Sequence, residues 1–267
     1  MLADAQASRY LERLGYRGDT APTRATLAAL HHAHMLHVPF ENLDVVFGTP
    51  ITLSIDAFYL KIVERRRGGF CYELNTLFAA LLQTLGFKLH LIAADVFNNG
   101  HFGELFDHLL LGVELDGEIL IADVGFGDSF RAPLTLDGSV SQQLGAAYRV
   151  EFDGACHILH ADKPDGSSQP QYRFALAARA MQDFAARCHY QQTSPLSHFT
   201  RRSICSVATE TGRVTLSDGR LVVTAKGART EKTVADEAHC RTILLTDFGI
   251  ATEAQWDLSR LLAKQER

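Results

Sequence analysis

A cysteine stands where the sequence predicts that a helix begins. The segment RGGFCYE at residues 67–73 precedes apolar residues spaced by three and four positions up to residue 85, which is typical of an amphipathic helix. Backbone N–H groups in a first helical turn have no partner within the helix, and the helix dipole adds partial positive charge there. Both effects favour a thiolate. Cys71 is therefore a candidate nucleophile, although an inert buried cysteine is the alternative.

A histidine and an aspartate are predicted to meet on one face of a β-hairpin. Asp116-Gly117 is a strong two-residue hairpin signal. With this turn, Leu110 lies opposite Asp123, and His108 lies diagonal to Asp123 within reach of its carboxylate. Such a pair would orient the imidazole as a base for a cysteine nucleophile. A three-residue loop would instead shift the register and separate the two side chains.

Three other groups of residues are weaker signals. His31 and His34 share a face of a predicted helix, but without an H-E-x-x-H pattern a solvated helix end is favoured over a metal site. The run of arginines at 65–67 is interpreted as a solvated charge run rather than a phosphate patch. The glycine turn DVGFG at 123–127 has N–H groups that suit a phosphate, but it lacks the lysine of a P-loop.

The elements that must position these residues follow from the period of the apolar residues. Up to residue 87 the period is helical, with helices predicted around 10–14, from 22 to before Pro39, and over 70–85. From 88 to about 172 the residues alternate as in strands. The predicted strands are 89–96, 108–115, 118–124, 148–152, and a hairpin of 213–216 with 220–224. A tail helix is predicted over 253–264 from a capping box at Thr252 and Gln255. This order predicts an α+β protein with little parallel sheet.

Composition limits the class of protein. Of 267 residues, 46% are apolar and 21% charged, as in a folded protein with a core. The net charge of −5 gives no global attraction to nucleic acid or to an anionic membrane. No apolar stretch is long enough for a membrane span, and no secretory signal is visible. Five scattered cysteines argue against disulfides and favour a cytoplasmic location.

Five segments, in order, resemble the arylamine N-acetyltransferase family. They are VPFENLD at 38–44, RGGFCYE at 67–73, the strand of His108, DVGFG at 123–127 and TSPLSHF at 193–199. The resemblance implies a helical bundle over 1–87, an antiparallel β-barrel over 88–190 and an α/β lid over 191–267. It also implies a cysteine-protease-like core with Cys71, His108 and Asp123 as the triad.

The resemblance further implies an activity. An acetyl group would pass from acetyl-CoA, a co-substrate, through acetyl-Cys71 to an arylamine, arylhydrazine or N-hydroxyarylamine in a ping-pong reaction, with no tightly bound cofactor and no metal. The residues implied for the acceptor slot, which are also compatible with core packing, are Phe40, Phe70, Val96, Phe126 and Phe199. The residues implied for CoA are Gly125, Phe126 and Gly127.

Other functions remain open at this stage. A relative with the same fold could use another acyl donor, as an amide synthase does, because the donor's size is set by the shape of the cleft. A cysteine hydrolase would use water as acceptor, and a redox sensor or binding protein would use the thiol without acylation. The loops at 98–107 and 154–171 follow no motif of the family, and the oligomeric state is not specified by the sequence.

Overall fold

The N-terminal third of the chain is helical. The structure is a computed structural model that describes residues 1–162 and 166–262. Its first helices are α1 (Asp4–Arg13), α2 (Arg24–His37), α3 (Leu43–Phe47), α4 (Ile55–Tyr59), a π-helical turn (Leu60–Glu64) and α5 (Cys71–Thr84). The three helices predicted from the sequence are α1, α2 and α5, and all three are confirmed.

Helix α5 is the central element of this region. It is buried almost along its whole length, from Cys71 to Leu82, and contacts α1, α4 and two strands of the adjoining sheet. Its first turn is capped because the Glu73 carboxylate accepts a hydrogen bond of 3.1 Å from the backbone N–H of Phe70. The cap and the apolar faces therefore fix where α5 begins and how it is oriented.

The larger sheet has eight antiparallel strands. They are β2 (Lys88–Asn98), β3 (His101–Phe102), β4 (His108–Leu115), β5 (Glu118–Ala122), β6 (Ser141–Gln143), β7 (Ala146–Phe152), β8 (His157–Asp162) and β9 (Ser168–Phe174). The order is β5-β4-β2-β9-β8-β7-β6, with β3 paired to β2. The strands β5 and β6 stand at opposite ends of this order, so the sheet is a curled half-barrel, whereas an antiparallel β-barrel was expected.

A smaller antiparallel sheet follows. Before it come a 3₁₀ turn (Met181–Phe184), α6 (Ala185–Thr193) and α7 (His198–Arg201). Its strands are β1 (Phe40–Glu41), β10 (Cys205–Thr209), β11 (Gly212–Ser217), β12 (Arg220–Ala225) and β13 (Ala228–Thr233), in the order β1-β10-β11-β12-β13. Strand β1 brings the N-terminal region into this sheet. The division into three regions at residues 87 and 190 stays a prediction.

The predicted tail helix is wrong. Helix α8 (Glu237–Phe248) ends at Gly249 in the left-handed conformation, and up to residue 262 the tail that follows contains a 3₁₀ turn (Leu258–Leu261) in place of the predicted helix. The tail is instead held by Trp256. The ring of Trp256 stacks on the ring of Phe47, with 4.5 Å between the ring centroids. This packing outweighs the local capping signal. Residues 263 and 264 of the predicted helix lie outside the described residues.

The described helices are too short or too polar to span a membrane. Within residues 1–162 and 166–262, no helix has the length and apolar character needed to cross a bilayer. The cytoplasmic location stays a prediction.

Candidate active site

The candidate nucleophile lies at the start of α5, behind a tightly packed pair of glycines. A Cβ atom on Gly68 would lie 1.9 Å from the carbonyl oxygen of Pro39, and one on Gly69 would lie 2.7 Å from Glu73 Oε2. Both distances are far below van der Waals contact. The chain before Cys71 thus needs glycine because it passes directly against the backbone before β1 and against the cap of α5.

The thiol of Cys71 is buried but lines a cleft. Cys71 is 2% exposed, and it forms part of the wall of a cavity of about 580 Å³. Burial raises the pKa of the Cys71 thiol well above its ordinary value, while hydrogen bonds from the backbone N–H groups of Leu109 and Tyr72 act to lower it. The helix start favours a thiolate, but burial opposes it. A proton acceptor is needed to form one.

The predicted hairpin has the predicted register. Leu111 pairs with Ala122 across strands β4 and β5. Continued by one residue, this register places Leu110 opposite Asp123 and His108 diagonal to it. The imidazole Nε2 of His108 lies 2.7 Å from Oδ2 of Asp123, and both side chains are almost fully buried. The side-chain pairing expected from the Asp-Gly turn is confirmed.

The Asp123 carboxylate is ionised in spite of its burial. Burial acts to raise its pKa, but the charge and hydrogen bond of His108, with hydrogen bonds from Asn75 and Gly125, bring the pKa below its ordinary value. Asn75 Nδ2 donates to Oδ1 at 2.8 Å, and the Gly125 N–H donates to Oδ1 at 2.9 Å. The Tyr172 hydroxyl donates to Oδ2 at 3.0 Å. Each carboxylate oxygen therefore accepts two hydrogen bonds.

Asn75, one helical turn after the cysteine, holds α5 against the hairpin. Besides Asp123, its Nδ2 donates to the carbonyl of Leu109 at 2.6 Å, and its Oδ1 accepts from the Val124 N–H at 2.9 Å. Asn75 was not among the residues predicted for the site. The sequence does contain a sign of it, because Asn75 is a polar amide four positions after Cys71, on the same side of an otherwise apolar helix.

His31 is also part of the site, and the interpretation of its helix end as solvated is wrong. His31 and His34 are fully buried. The backbone N–H of Asp123 donates to His31 Nε2 at 3.1 Å, and the imidazole stacks on Phe130 with ring centroids 5.5 Å apart. Within the described ranges, no group of His, Cys, Asp and Glu side chains is arranged to hold a metal ion. His31 instead fixes the backbone at Asp123.

Arg67 is not part of a solvated charge run. It is 4% exposed, and its Nη2 lies 2.8 Å from Glu41 and 2.9 Å from Asp44, while Arg65 and Arg66 are exposed. The Trp256 ring covers its guanidinium, with the Cζ atom 4.6 Å from the ring centroid. A buried arginine needs carboxylate partners. The partners of Arg67 are distant from it in the sequence, so the local run of arginines does not reveal them.

Most residues expected at the acceptor slot line the cleft of Cys71. Phe40, Val96, Phe126 and Phe199 lie in its walls. Phe70 is fully buried behind Phe199, with ring centroids 5.6 Å apart. The cleft also has a polar rim that was not anticipated, with Asn98, His101, Asp107, Arg187, Tyr190, His198 and Arg201.

The residues expected at CoA are divided between two clefts. Gly125 and Phe126 line the cleft of Cys71, whereas Gly127 lines a second cleft, to which Phe126 also contributes. A Cβ atom on Gly125 would lie 2.8 Å from Cys71 Cα, so the turn after β5 packs directly on the start of α5.

Comparison with known proteins defines the class. Residues 23–256 match the model of a family described as N-acetyltransferase. The arylamine N-acetyltransferase of Mycolicibacterium smegmatis is 35% identical over 250 residues, which are 90% of each chain. The Mycobacterium marinum arylamine N-acetyltransferase in complex with CoA is 31% identical, has a TM-score of 0.88 and covers 96% of each chain. These matches define an acyltransferase.

A further solved structure is described with a catalytic triad of its own. The Bacillus cereus arylamine N-acetyltransferase is 25% identical, with a TM-score of 0.86 over 94% of this chain and 100% of that chain, and it is described with a Cys-His-Glu catalytic triad. The chain described here belongs to the arylamine N-acetyltransferase family. Its co-substrate is acetyl-CoA.

We predict that His31 makes the protein acid-sensitive. Burial lowers the pKa of His31 to about 4, below the ordinary value of 6.5. Between these values the unfolded chain binds a proton that the folded chain does not, so the stability present above pH 6.5 falls as the pH falls. This residue should contribute a loss of about 2 kcal/mol in the free energy of unfolding from pH 7 to pH 5. Urea denaturation at both pH values measures it.

The control for this prediction is the adjacent histidine. His32 is half-exposed, so His32→Gln should keep the wild-type dependence on pH, while His31→Gln should show a smaller one. Equal dependence in wild type and His31→Gln would mean that the His31 imidazole is already protonated in the folded protein.

Asn75 and Thr76 form a matched pair for a second prediction. Both are buried on α5, but the Thr76 hydroxyl has no hydrogen-bond partner within the described residues. Asn75→Leu should lower the free energy of unfolding by about 3 kcal/mol, because it leaves buried groups of Asp123 and its neighbours unpaired. Thr76→Val should change it by less than about 1 kcal/mol. Urea denaturation at pH 7 distinguishes them, and equal losses would contradict the role given to Asn75.

Proposed function

We propose that Cys71, His108 and Asp123 are a catalytic triad that moves an acetyl group from acetyl-CoA to an aromatic amine through acetyl-Cys71. The observation that carries this proposal is the buried 2.7 Å bond between His108 and Asp123 in the wall of the cleft that Cys71 also lines. Membership of the arylamine N-acetyltransferase family supports the donor and the class of acceptor.

The ionised carboxylate determines which nitrogen of His108 is basic. A carboxylate only accepts hydrogen bonds, so the Nε2 atom that faces Asp123 carries a proton. In the neutral imidazole the other nitrogen, Nδ1, is then unprotonated and can accept one. Asp123 thus selects the tautomer that acts as a base and stabilises the imidazolium that follows.

The first half of the reaction forms acetyl-Cys71. His108 Nδ1 takes the thiol proton, and the sulfur attacks the thioester carbonyl of acetyl-CoA. When the tetrahedral intermediate collapses, the bond to the sulfur of CoA breaks, and the imidazolium returns the proton to CoA. The Cys71 backbone N–H lies in the first turn of α5, where it has no partner within the helix, and it is the proposed donor for the oxyanion. One thioester replaces another, so this half is reversible.

The second half transfers the acetyl group to nitrogen. The amine attacks the acetyl carbonyl, His108 takes a proton from the nitrogen as the N–C bond forms, and the Cys71 sulfur leaves and is protonated again. An amide is more stable than a thioester, so this half drives the overall reaction. Phe40, Phe126 and Phe199 in the cleft walls suit a flat aromatic acceptor.

Intact-protein mass spectrometry after addition of acetyl-CoA tests the nucleophile. Wild type should gain one acetyl group, which an aromatic amine removes as the acetylated amine. Cys71→Ala should gain none. Cys188→Ala is the matched control, because Cys188 is also buried and burial raises its pKa to about 12, and it should acetylate as wild type does.

Mass spectrometry with other acyl donors and the rate of acetyl-CoA hydrolysis separate the other functions. Adducts from a longer acyl-CoA but not from acetyl-CoA would indicate another donor. Hydrolysis of acetyl-CoA at a rate that the amine does not increase would indicate a hydrolase. If no acyl donor modifies Cys71, the proposed transfer is wrong.

Alkylation by iodoacetamide tests the coupling of Cys71 to His108. Because burial raises the pKa of the thiol, formation of the thiolate near pH 6 depends on a proton acceptor beside it. His108→Gln should slow alkylation of Cys71 at pH 6 by about tenfold or more. His101→Gln, which changes another histidine in the cleft, should leave the rate unchanged. An unchanged rate in His108→Gln would mean that the two side chains are not coupled.

A further inference from the structure

The turn before His108 has a backbone conformation that its residue types do not favour. Phe106 has a φ of +72°, in the left-handed region, where a bulky side chain is a rare and unfavourable exception. Two residues later the chain enters β4, whose first residue is His108. A strained backbone persists only where the contacts around it hold it. The groups that hold this turn therefore also determine where the proposed base is placed.

The carboxylate of Asp107 closes this turn from the inside. Its Oδ2 atom accepts a hydrogen bond of 2.8 Å from the backbone N–H of Glu104. A Cβ atom on Gly103 would lie 2.3 Å from the same oxygen, so a larger residue at position 103 would displace the carboxylate. The backbone N–H of Asp107 donates to the carbonyl of Glu104 at 3.1 Å. Both the side chain and the backbone of the residue before His108 thus hold the turn.

The same carboxylate joins the turn to helix α6. Oδ1 of Asp107 accepts hydrogen bonds from Nε of Arg187 at 2.5 Å and from Nε2 of Gln191 at 3.1 Å. Only 11% of the Asp107 side chain and 22% of the Arg187 side chain are exposed, so water screens this ion pair less than a surface pair. The Arg187 guanidinium also lies over the ring of Tyr190, with Cζ 4.2 Å from the ring centroid. Asp107 therefore connects two segments that are 80 positions apart.

Tyr72 attaches the turn to the helix of the candidate nucleophile. Its hydroxyl donates to the carbonyl of Phe106 at 2.8 Å and to the carbonyl of Asp107 at 3.3 Å. Tyr72 follows Cys71 directly in α5 and is fully buried. The turn before His108 is thus fixed by α5 on one side and by α6 on the other, and both sets of contacts include Asp107.

We infer that Asp107 is a positioning residue, which through its ion pair with Arg187 fixes the start of β4 and so places His108 against Cys71. The inference rests on the proposed function, in which His108 takes the thiol proton. All four residues line the same cleft. The pair carries no net charge, so it acts by geometry rather than by an added field. Asp123 orients the imidazole ring, whereas Asp107 holds the backbone that carries the ring.

Single-turnover acetylation of Cys71 tests the inference, with rapid mixing and intact-protein mass spectrometry. Asp107→Asn keeps an oxygen that can accept from the Glu104 N–H but loses the ion pair, and Arg187→Met loses the same pair from the other side. Each should lower the maximal rate of acetylation about tenfold, because proton transfer depends steeply on position. The acetyl-CoA concentration that gives half of this rate should change less than about twofold, since the change acts on the base.

Arg149→Met is the matched control. The Arg149 side chain is also 22% exposed and forms an ion pair with Asp162, between strands β7 and β8, and neither residue lines the cleft of Cys71 or the second cleft. This variant should keep the wild-type rate. Arg187→Lys, which keeps the charge but not the planar guanidinium, should have a rate between those of wild type and Arg187→Met.

The double variant Asp107→Asn/Arg187→Met shows whether the two residues act as one unit. The contact is already lost in each single variant, so the double variant should be about as slow as either of them. A rate about a hundredfold below wild type, the product of two separate effects, would overturn the inference. So would a smaller fraction of acetylated molecules with an unchanged rate constant, which is the result expected if the pair serves stability alone.

Alkylation of Cys71 by iodoacetamide at pH 6 measures the same placement of His108 without acetyl-CoA. Asp107→Asn should slow it about fivefold or more, and Arg149→Met should leave it unchanged. If wild type is acetylated and Asp107→Asn changes neither the acetylation rate nor the alkylation rate, the inference is wrong and the proposed transfer stands. If wild type is not acetylated but Asp107→Asn slows alkylation, the proposed transfer is wrong and the role of Asp107 stands.

Discussion

The buried charge of Asp123 is the constraint on which the site depends. A carboxylate removed from water is strongly destabilising unless its oxygens accept hydrogen bonds. Here the donors come from α5 through Asn75, from β4 through His108 and from β9 through Tyr172. Satisfying one charge therefore fixes the relative positions of a helix and two strands. The backbone of the same residue is held by His31 of α2, which adds a fourth element.

Under the proposed function, this arrangement accounts for a buried cysteine that acts as a nucleophile. Burial acts to raise the pKa of the Cys71 thiol, and a protonated thiol reacts slowly with oxidants and electrophiles. The carboxylate of Asp123 lies against Nε2 of His108, so the opposite ring nitrogen, Nδ1, is the one available to accept a proton in the proposed reaction. Under the proposed mechanism, the thiolate forms by transfer of a proton within the cleft. Reactivity is then confined to ligands that reach the cleft.

The parts of the fold that sequence predicts are those with local causes. The Asp-Gly turn determines the register of β4 with β5, and the apolar stripe determines α5. The buried polar contacts have distant partners: His31 and Asp123 are 92 positions apart, and the sequence gives their types but not their pairing. The tail was mispredicted for the same reason, since contacts of Trp256 with Phe47 and Arg67 outweigh a local capping signal.

The position of the two clefts bears on the order of the reaction. They meet at Phe40, Phe126 and Ile204, beside the only cysteine that lines either of them in the described structure. The first half of the proposed reaction brings the acyl arm of acetyl-CoA to Cys71 in its cleft. The aromatic amine must approach the same carbon from the cleft of Cys71, whose walls the acyl arm then also occupies. The two substrates would therefore exclude each other near the sulfur. Such exclusion favours a ping-pong order, in which CoA leaves before the amine binds, over a complex that contains both.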